Sequence, residues 1–219
     1  SLQTISNYPP KANQILALWG PRSSNIEARA HGLGMQAHLP EARPEAALSL
    51  IPDRLREAYM SSAQKHGVEL AENAAMGEIE SGHNTVNVDP NTGMSVSYNG
   101  TSKGPMMVAE HAHPAFYDQH NGNPSIEANI DYGTQYYASL KKRYNNDPIA
   151  SAMAYNGGPG NYDLWLAKKQ PEWVKTKADE QEWDRIVNEM TNHGKKFAKA
   201  YYKLSGDASL LQNPLLLRK

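Results

Sequence analysis

The chain has 219 residues, 39% of them hydrophobic and 21% charged, with a formal net charge of -1, a composition that buries a real core in an ordinary globular protein. That balance lacks the basic excess of a phosphate-binding surface, so no nucleic-acid partner is expected, and the absence of cysteine excludes a disulfide framework, a thiol nucleophile and a thiolate metal site. No run approaches the roughly 20 apolar residues that cross a bilayer, so no membrane span is expected, and the opening SLQTISNYPP has neither the basic start nor the apolar stretch of a signal peptide.

Residues 1–52 are punctuated by Pro9-Pro10, Gly20-Pro21, Gly32, Gly34, Pro40, Pro44 and Pro52. Short helices fit between these breaks, over Lys11 to Trp19 and Asn25 to His31, and Ile15, Leu16, Leu18 and Trp19 need burial, so this part reads as an N-terminal helical arm. From Asp53 the pattern tightens. DRLREAYMSSAQKHG predicts a helix ended by Gly67, and ELAENAAMGEIESG a second helix ended by Gly82. In the second, Leu70, Ala74 and Ile79 supply the apolar stripe and Glu80 falls in the last turn, facing the negative end of the helix dipole, which disfavours its charge.

Next, Val86 and Val88, then Met94, Val96 and Tyr98, alternate with polar residues around Asp89-Pro90-Asn91-Thr92-Gly93, which predicts a β-hairpin. The stretches GPMMVAEHAHPAFYDQH, SIEANIDYGTQYYASLKKRYN, PIASAMAYNGGPGNYDLWLAKK and EQEWDRIVNEMTNHGKKFAKAYYKLS read as helical, with breaks at Pro124, Pro148 and Gly157 to Gly160. The expected fold class is therefore α+β, predominantly α-helical, with one domain over 53–205 and a C-terminal tail over 206–219.

Four separated segments resemble one family. IESGHN is similar to the catalytic-glutamate segment of the soluble lytic transglycosylases, SKGPMM to their Gly-Leu-Met-Gln stretch, NIDYGTQYYASL to their Asn-Ile helix, and AYNGGPGNYDLWL to their Ala-Tyr-Asn-Ala-Gly-Pro-Gly segment. NEMTNHGKKFAKAYYKL is a fifth and weaker match, to the last helix. The order and approximate spacing agree from about Asp53 to Leu204. The sequence departs from the family at Pro105 and Met107, which stand in place of Leu and Gln, at His193, which stands in place of Tyr, and in a longer gap from Glu80 to Gly104 that the hairpin fills.

The resemblance implies a lysozyme-like domain with a small β-hairpin beside the active-site cleft. Its implied partner is the peptidoglycan glycan strand, cut at the MurNAc-GlcNAc β-1,4 bond with formation of 1,6-anhydromuramic ends and without a cofactor. Glu80 is then the single acid/base, with Ser81, Asn84, Met106, Met107, Tyr155, Asn156 and Glu189 as substrate-binding residues. Glu78 points roughly 200° away on the same helix, at about 100° per residue, and belongs to the surface or an ion pair.

Two other readings stay open. Asp89 and Ser95 lie nine and fifteen positions after Glu80, a layout similar to that of phage lysozymes, which makes them a possible second catalytic group for hydrolysis by water. The simpler reading of Asp89 is a turn-initiating residue before proline. A non-catalytic glycan-binding or structural protein on the same fold is the other reading, with the intact Glu80 as the feature against it. His83, His111, His113 and His120 lack the spacing and the Glu-x-x-His partner of a metal set, so no metal is expected. The expected location is the periplasm or an exported or virion-associated particle, to which the arm would attach.

Overall fold

The computed structural model describes residues 48–219. The expected arm helices, and with them all of the arm before residue 48, lie outside the described residues. The described residues form two compact units, 48–135 together with 200–207, and 136–199 together with 208–219. Among the described residues there are seven α-helices and one two-stranded antiparallel sheet.

The first unit is built on α1 (Asp53–His66) and α2 (Leu70–Ser81), the two helices expected from their stop signals at Gly67 and Gly82. Helix α2 is buried from Leu70 through Gly77, all round rather than on one stripe, as expected of a helix enclosed by its neighbours. Leu55, Tyr59, Met60 and Ala63 of α1 pack beside it with Met106, Tyr117, Ile130 and Tyr201, and each large apolar side chain removed from water contributes roughly 1.5–3 kcal/mol. Buried polar groups cross-link the helices. Asn73 donates to Tyr59 O (3.0 Å) and accepts from the Thr134 hydroxyl (2.8 Å), and Tyr201 donates to Glu69 Oε2 (2.8 Å).

At Gly77, α2 packs directly against α1, because a Cβ there would overlap the Tyr59 hydroxyl. Tyr59 is wholly buried and its hydroxyl is bonded to His83 Nδ1 (2.9 Å), so the ring has no free space to enter. Gly77→Ala is expected to destabilise the protein by about 1–3 kcal/mol through overpacking. The check is the midpoint of urea unfolding at unchanged m-value, and a midpoint like that of the wild type would show that Tyr59 moves aside.

The region expected as a hairpin holds only a single antiparallel bridge, Val88 with Ser95, while a second bridge joins Val96 to Lys103. The two-stranded sheet lies further on, β1 (Ser102–Lys103) against β2 (Val108–Ala109), with Ser102 opposite Ala109 and Lys103 opposite Val108. The apolar alternation overstated the hairpin because Val86, Val88 and Tyr98 face solvent, Tyr98 at 97% exposure, and only Met94 of the set is buried. A second correction concerns 104–113, expected as helix. Gly104 and Met107 adopt left-handed backbone (φ 84° and 45°) and form the β1–β2 turn, and the helix α3 is confined to Pro114–Gln119. The hydroxyl of Tyr117 in α3 donates to Val108 O (2.7 Å) and holds β2. Helix α4 spans Ile126–Arg143, and its residues up to 135 belong to this unit.

In the second unit, α5 (Pro148–Gly157) starts at Asp147, whose side chain accepts from Ile149 N and Ala150 N, two of the donors a helix start leaves unpaired. Gly158 (φ 83°) ends α5, and α6 (Pro159–Leu166) comes directly after it. The long helix α7 (Lys177–Ser205) passes α5 at two glycines, where a Cβ on Gly157 would meet Met190 and one on Gly194 would meet Met153. Two 3-10 turns, Ser209–Gln212 and Pro214–Leu217, close the chain. They are tied down by Asn213 Nδ2 on Asp147 (2.9 Å), by Arg218 on Leu166 O (2.6 Å), and by the Arg218 guanidinium 5.5 Å from the Trp165 ring centre.

Candidate active site

Glu80 is half-buried in the last turn of α2. The backbone just beyond the helix is unusual, since Gly82, His83 and Asn84 are all left-handed, with φ of 57°, 58° and 63°. Glycine adopts this region freely, but a side chain there costs about 1–2 kcal/mol, with Asn and His among the more tolerant types. Such a turn persists only where its surroundings over-determine it, and here they do. Gly82 N donates to Glu78 O (2.8 Å), His83 N to Gly77 O (3.0 Å) and Thr85 N to Ser81 O (3.0 Å). Arg54 Nη2 donates to His83 O (2.7 Å), and the His83 ring bonds to Tyr59.

Ser81 and Asn84 do the rest of the bracing. The buried Ser81 Oγ accepts from Asn84 N (2.8 Å) and donates to Pro105 O (2.7 Å), which links the end of α2 to the β1–β2 turn. The Asn84 amide donates to Gly93 O (2.8 Å) and accepts from Ser95 N (2.7 Å), so it shapes the 85–95 loop from within. Ser95 is fully buried, and its Oγ has no hydrogen-bond partner among the described residues. Met106 is buried and Met107 half-buried.

Asp89 sits in the loop as a turn residue. Its Oδ1 accepts from Asn91 N (2.8 Å), and its own N–H and C=O close the loop on Met94 O (2.9 Å) and Gly93 N (2.8 Å), the pattern of an Asx turn. Glu78 forms an ion pair with Lys203, as expected of an acid on the far side of α2. Beneath the left-handed turn, the buried His83 ring is held down to about pKa 4, chiefly by its burial, while Glu78 opposes that shift and Lys203 and Arg54 add to it. Burial likewise pushes the Tyr59 phenol up.

In the second unit, Tyr155 lies in the last turn of α5 with its ring tilted 48° against Tyr136 at 5.3 Å, and Asn156 is the next residue, half-exposed. Glu189 stands on the exposed face of α7, paired with Arg185 (2.6 Å). The remaining histidines do not converge. His113 bonds to the Tyr132 hydroxyl (2.8 Å), His120 packs on Phe116 and His111 is exposed. Among the described residues no group of three or more His, Asp or Glu is arranged to hold a metal ion, and no helix is long and apolar enough to cross a membrane.

Asn129 heads the NIDYGTQYYASL segment, but its role emerges only in the structure. Asn129 of α4 is fully buried, and its amide donates to Lys103 O (2.9 Å) and accepts from Met106 N (2.9 Å), gripping the β1–β2 turn. The available signal was an Asn inside a helical pattern, where it is a poor helix former and usually has a partner elsewhere.

A mainly helical α+β domain, with a carboxylate closing a buried helix next to a small antiparallel sheet, defines the lysozyme-like class. The model of the Transglycosylase SLT domain matches residues 58–178, more than half of the chain, and the protein belongs to that family. The matched span includes Glu80, the β1–β2 turn, Asn129, Tyr155 and Asn156, and it stops before Glu189. Membership makes this a lytic transglycosylase of the lysozyme-like superfamily with peptidoglycan as substrate. A comparison with curated proteins returned no match.

Proposed function

We propose that the protein cleaves the MurNAc-GlcNAc β-1,4 bond with Glu80 as its single general acid/base and leaves 1,6-anhydromuramic ends. The observation that carries this reading is the way the chain after Glu80 is braced. Three consecutive left-handed residues, a buried serine bridge and an asparagine clamp hold the end of α2 in one geometry, as placement of a proton donor requires.

Protonated Glu80 gives its proton to the glycosidic oxygen as the bond from C1 of the muramic residue breaks. The acetamido group of that residue stabilises the oxocarbenium-like state, so no second carboxylate is compulsory. The Glu80 carboxylate then takes the proton of the muramic 6-hydroxyl, whose oxygen bonds to C1. The proton count closes and no water is consumed. Asp89 serves the loop in this scheme, consistent with its Asx-turn bond.

Digestion of purified sacculi in oxygen-18 water, read by mass spectrometry of the released muropeptides, tests the scheme. Unlabelled 1,6-anhydro ends are expected, together with an Asp89→Asn variant that keeps activity within a few fold, since Asn also suits an Asx turn. Labelled reducing ends and an inactive Asp89→Asn would establish hydrolysis in place of transglycosylation, with Glu80 still the acid.

A further inference from the structure

We propose that Asn129 is a positioning residue for this reaction: by gripping the β1–β2 turn it fixes the Ser81 bridge, and through it the helix end that carries Glu80. This rests on the assignment of Glu80 as the acid.

The β1–β2 turn has few means of holding itself. Gly104 is left-handed and has no room for a Cβ, which would overlap the Asn129 amide, Pro105 has no N–H, and Met107 is itself left-handed. Beyond the β1–β2 pairing itself, Met107 N donates to Gly104 O (3.0 Å) within the turn and Gly104 N to Ser95 O (2.8 Å). Side chains from two helices anchor it as well, Asn129 on Lys103 O and Met106 N, and Ser81 on Pro105 O.

Asn129 and Ser81 thus act on the same few residues from opposite ends. The Ser81 hydroxyl has a single proton, directed at Pro105 O (2.7 Å) in preference to Gly77 O (3.2 Å), while its oxygen receives Asn84 N. If the turn drifts, Ser81 loses its better acceptor, and the left-handed turn after Glu80 loses one of the bonds that over-determine it. A displacement of about 1 Å in a catalytic group is enough to slow a reaction strongly. A buried amide whose donor and acceptor are both committed to one turn is a stringent device for preventing that drift, because its removal breaks the bonds to Lys103 O and Met106 N together.

The test measures kcat and KM on purified, uncross-linked glycan strands, with the folded fraction determined by urea unfolding. Asn129→Ala is the primary variant and Asn129→Ser the milder one if the first is too unstable to assay. Thr134→Val is the matched control. Thr134 is buried on the same helix with its hydroxyl on Asn73 Oδ1 (2.8 Å) and Ile130 O (2.7 Å), but it does not touch the turn.

Asn129 variants are expected to lose roughly tenfold or more in kcat per folded molecule with KM within about threefold, whereas Thr134→Val loses stability and keeps kcat. Combining Asn129→Ala with Ser81→Ala should lower kcat little beyond the worse single variant, because both release the same turn. Unchanged kcat at Asn129, an equal kcat loss in Thr134→Val, a rise in KM alone, or multiplicative losses in the double variant would each overturn the inference. Glu80→Gln, assayed alongside, separates the two assignments. An inactive Glu80→Gln with unchanged Asn129 kinetics removes only this inference, and an active Glu80→Gln removes the acid itself.

Discussion

Glu80→Gln is expected to yield a folded protein that releases soluble muropeptides from sacculi at least about a hundredfold more slowly than the wild type, the order of loss for removing a general acid/base. The amide keeps the size and shape of the carboxylate, so packing at the end of α2 is preserved, but it neither donates to the glycosidic oxygen nor takes the proton of the 6-hydroxyl. Unfolding measured in parallel should be close to that of the wild type, because the bonds bracing the turn come from Ser81, His83, Asn84 and Arg54. Glu78→Gln supplies the contrast. It loses the ion pair with Lys203 but no group of the reaction, and turnover should stay within a few fold. If Glu80→Gln retains activity within a few fold, the mechanism is wrong. If instead the wild type binds sacculi without releasing muropeptides, the protein is a glycan-binding module on this fold.

The second large effect is on stability in acid. His83 is buried beside Arg54 and Lys203, with Glu78 opposing them, and its pKa falls from 6.5 to about 4, chiefly because burial disfavours the charged ring. Between those values the unfolded chain takes up a proton at this position and the folded protein does not, so stability rises with pH across the window. The contribution is fully present above pH 6.5 and is lost as pH falls towards 4, an amount on the order of 3 kcal/mol for a shift of this size. Urea unfolding from pH 7 down to pH 4 should show this slope in the wild type. His83→Asn should flatten it, since Asn tolerates the left-handed backbone at this position and does not titrate. Equal slopes in the two proteins would show that other groups carry the acid sensitivity. The folded ring takes up its proton only near pH 4, so loosening of the turn after Glu80 is expected there, below most of the range over which stability falls.

Much of this protein is legible from local sequence because local physics decides it. Gly67 and Gly82 end α1 and α2 by giving the chain a left-handed exit, Asp147 before Pro148 starts α5, and the placement of Glu80 in a last turn comes from the helix pattern alone. The short segments around Glu80, Gly104, Asn129 and Tyr155 suffice for the family, since their order and spacing are properties of the chain. Asp89 is open between two roles in the sequence, and its bond to Asn91 N speaks for the turn.

Elsewhere the outcome depends on groups far apart in sequence. The alternation of Val86, Val88, Val96 and Tyr98 predicts a hairpin, yet alternation stabilises strands only when one face is covered, and here most of that face meets solvent. The segment 104–113 has a helical composition but is drawn into a turn by Asn129, more than twenty residues away, and by Ser81, more than twenty residues in the other direction. The left-handed run at His83 and Asn84 is unfavourable by itself and exists because Arg54, Tyr59 and Ser95 supply partners for it. The sequence by itself determined α1 and α2, their ends and the carboxylate at the end of α2, through short-range sterics and backbone hydrogen bonds. The tertiary structure alone decided how that carboxylate's surroundings are held, because buried side-chain hydrogen bonds between distant residues form only once packing has excluded the water that would otherwise compete for them.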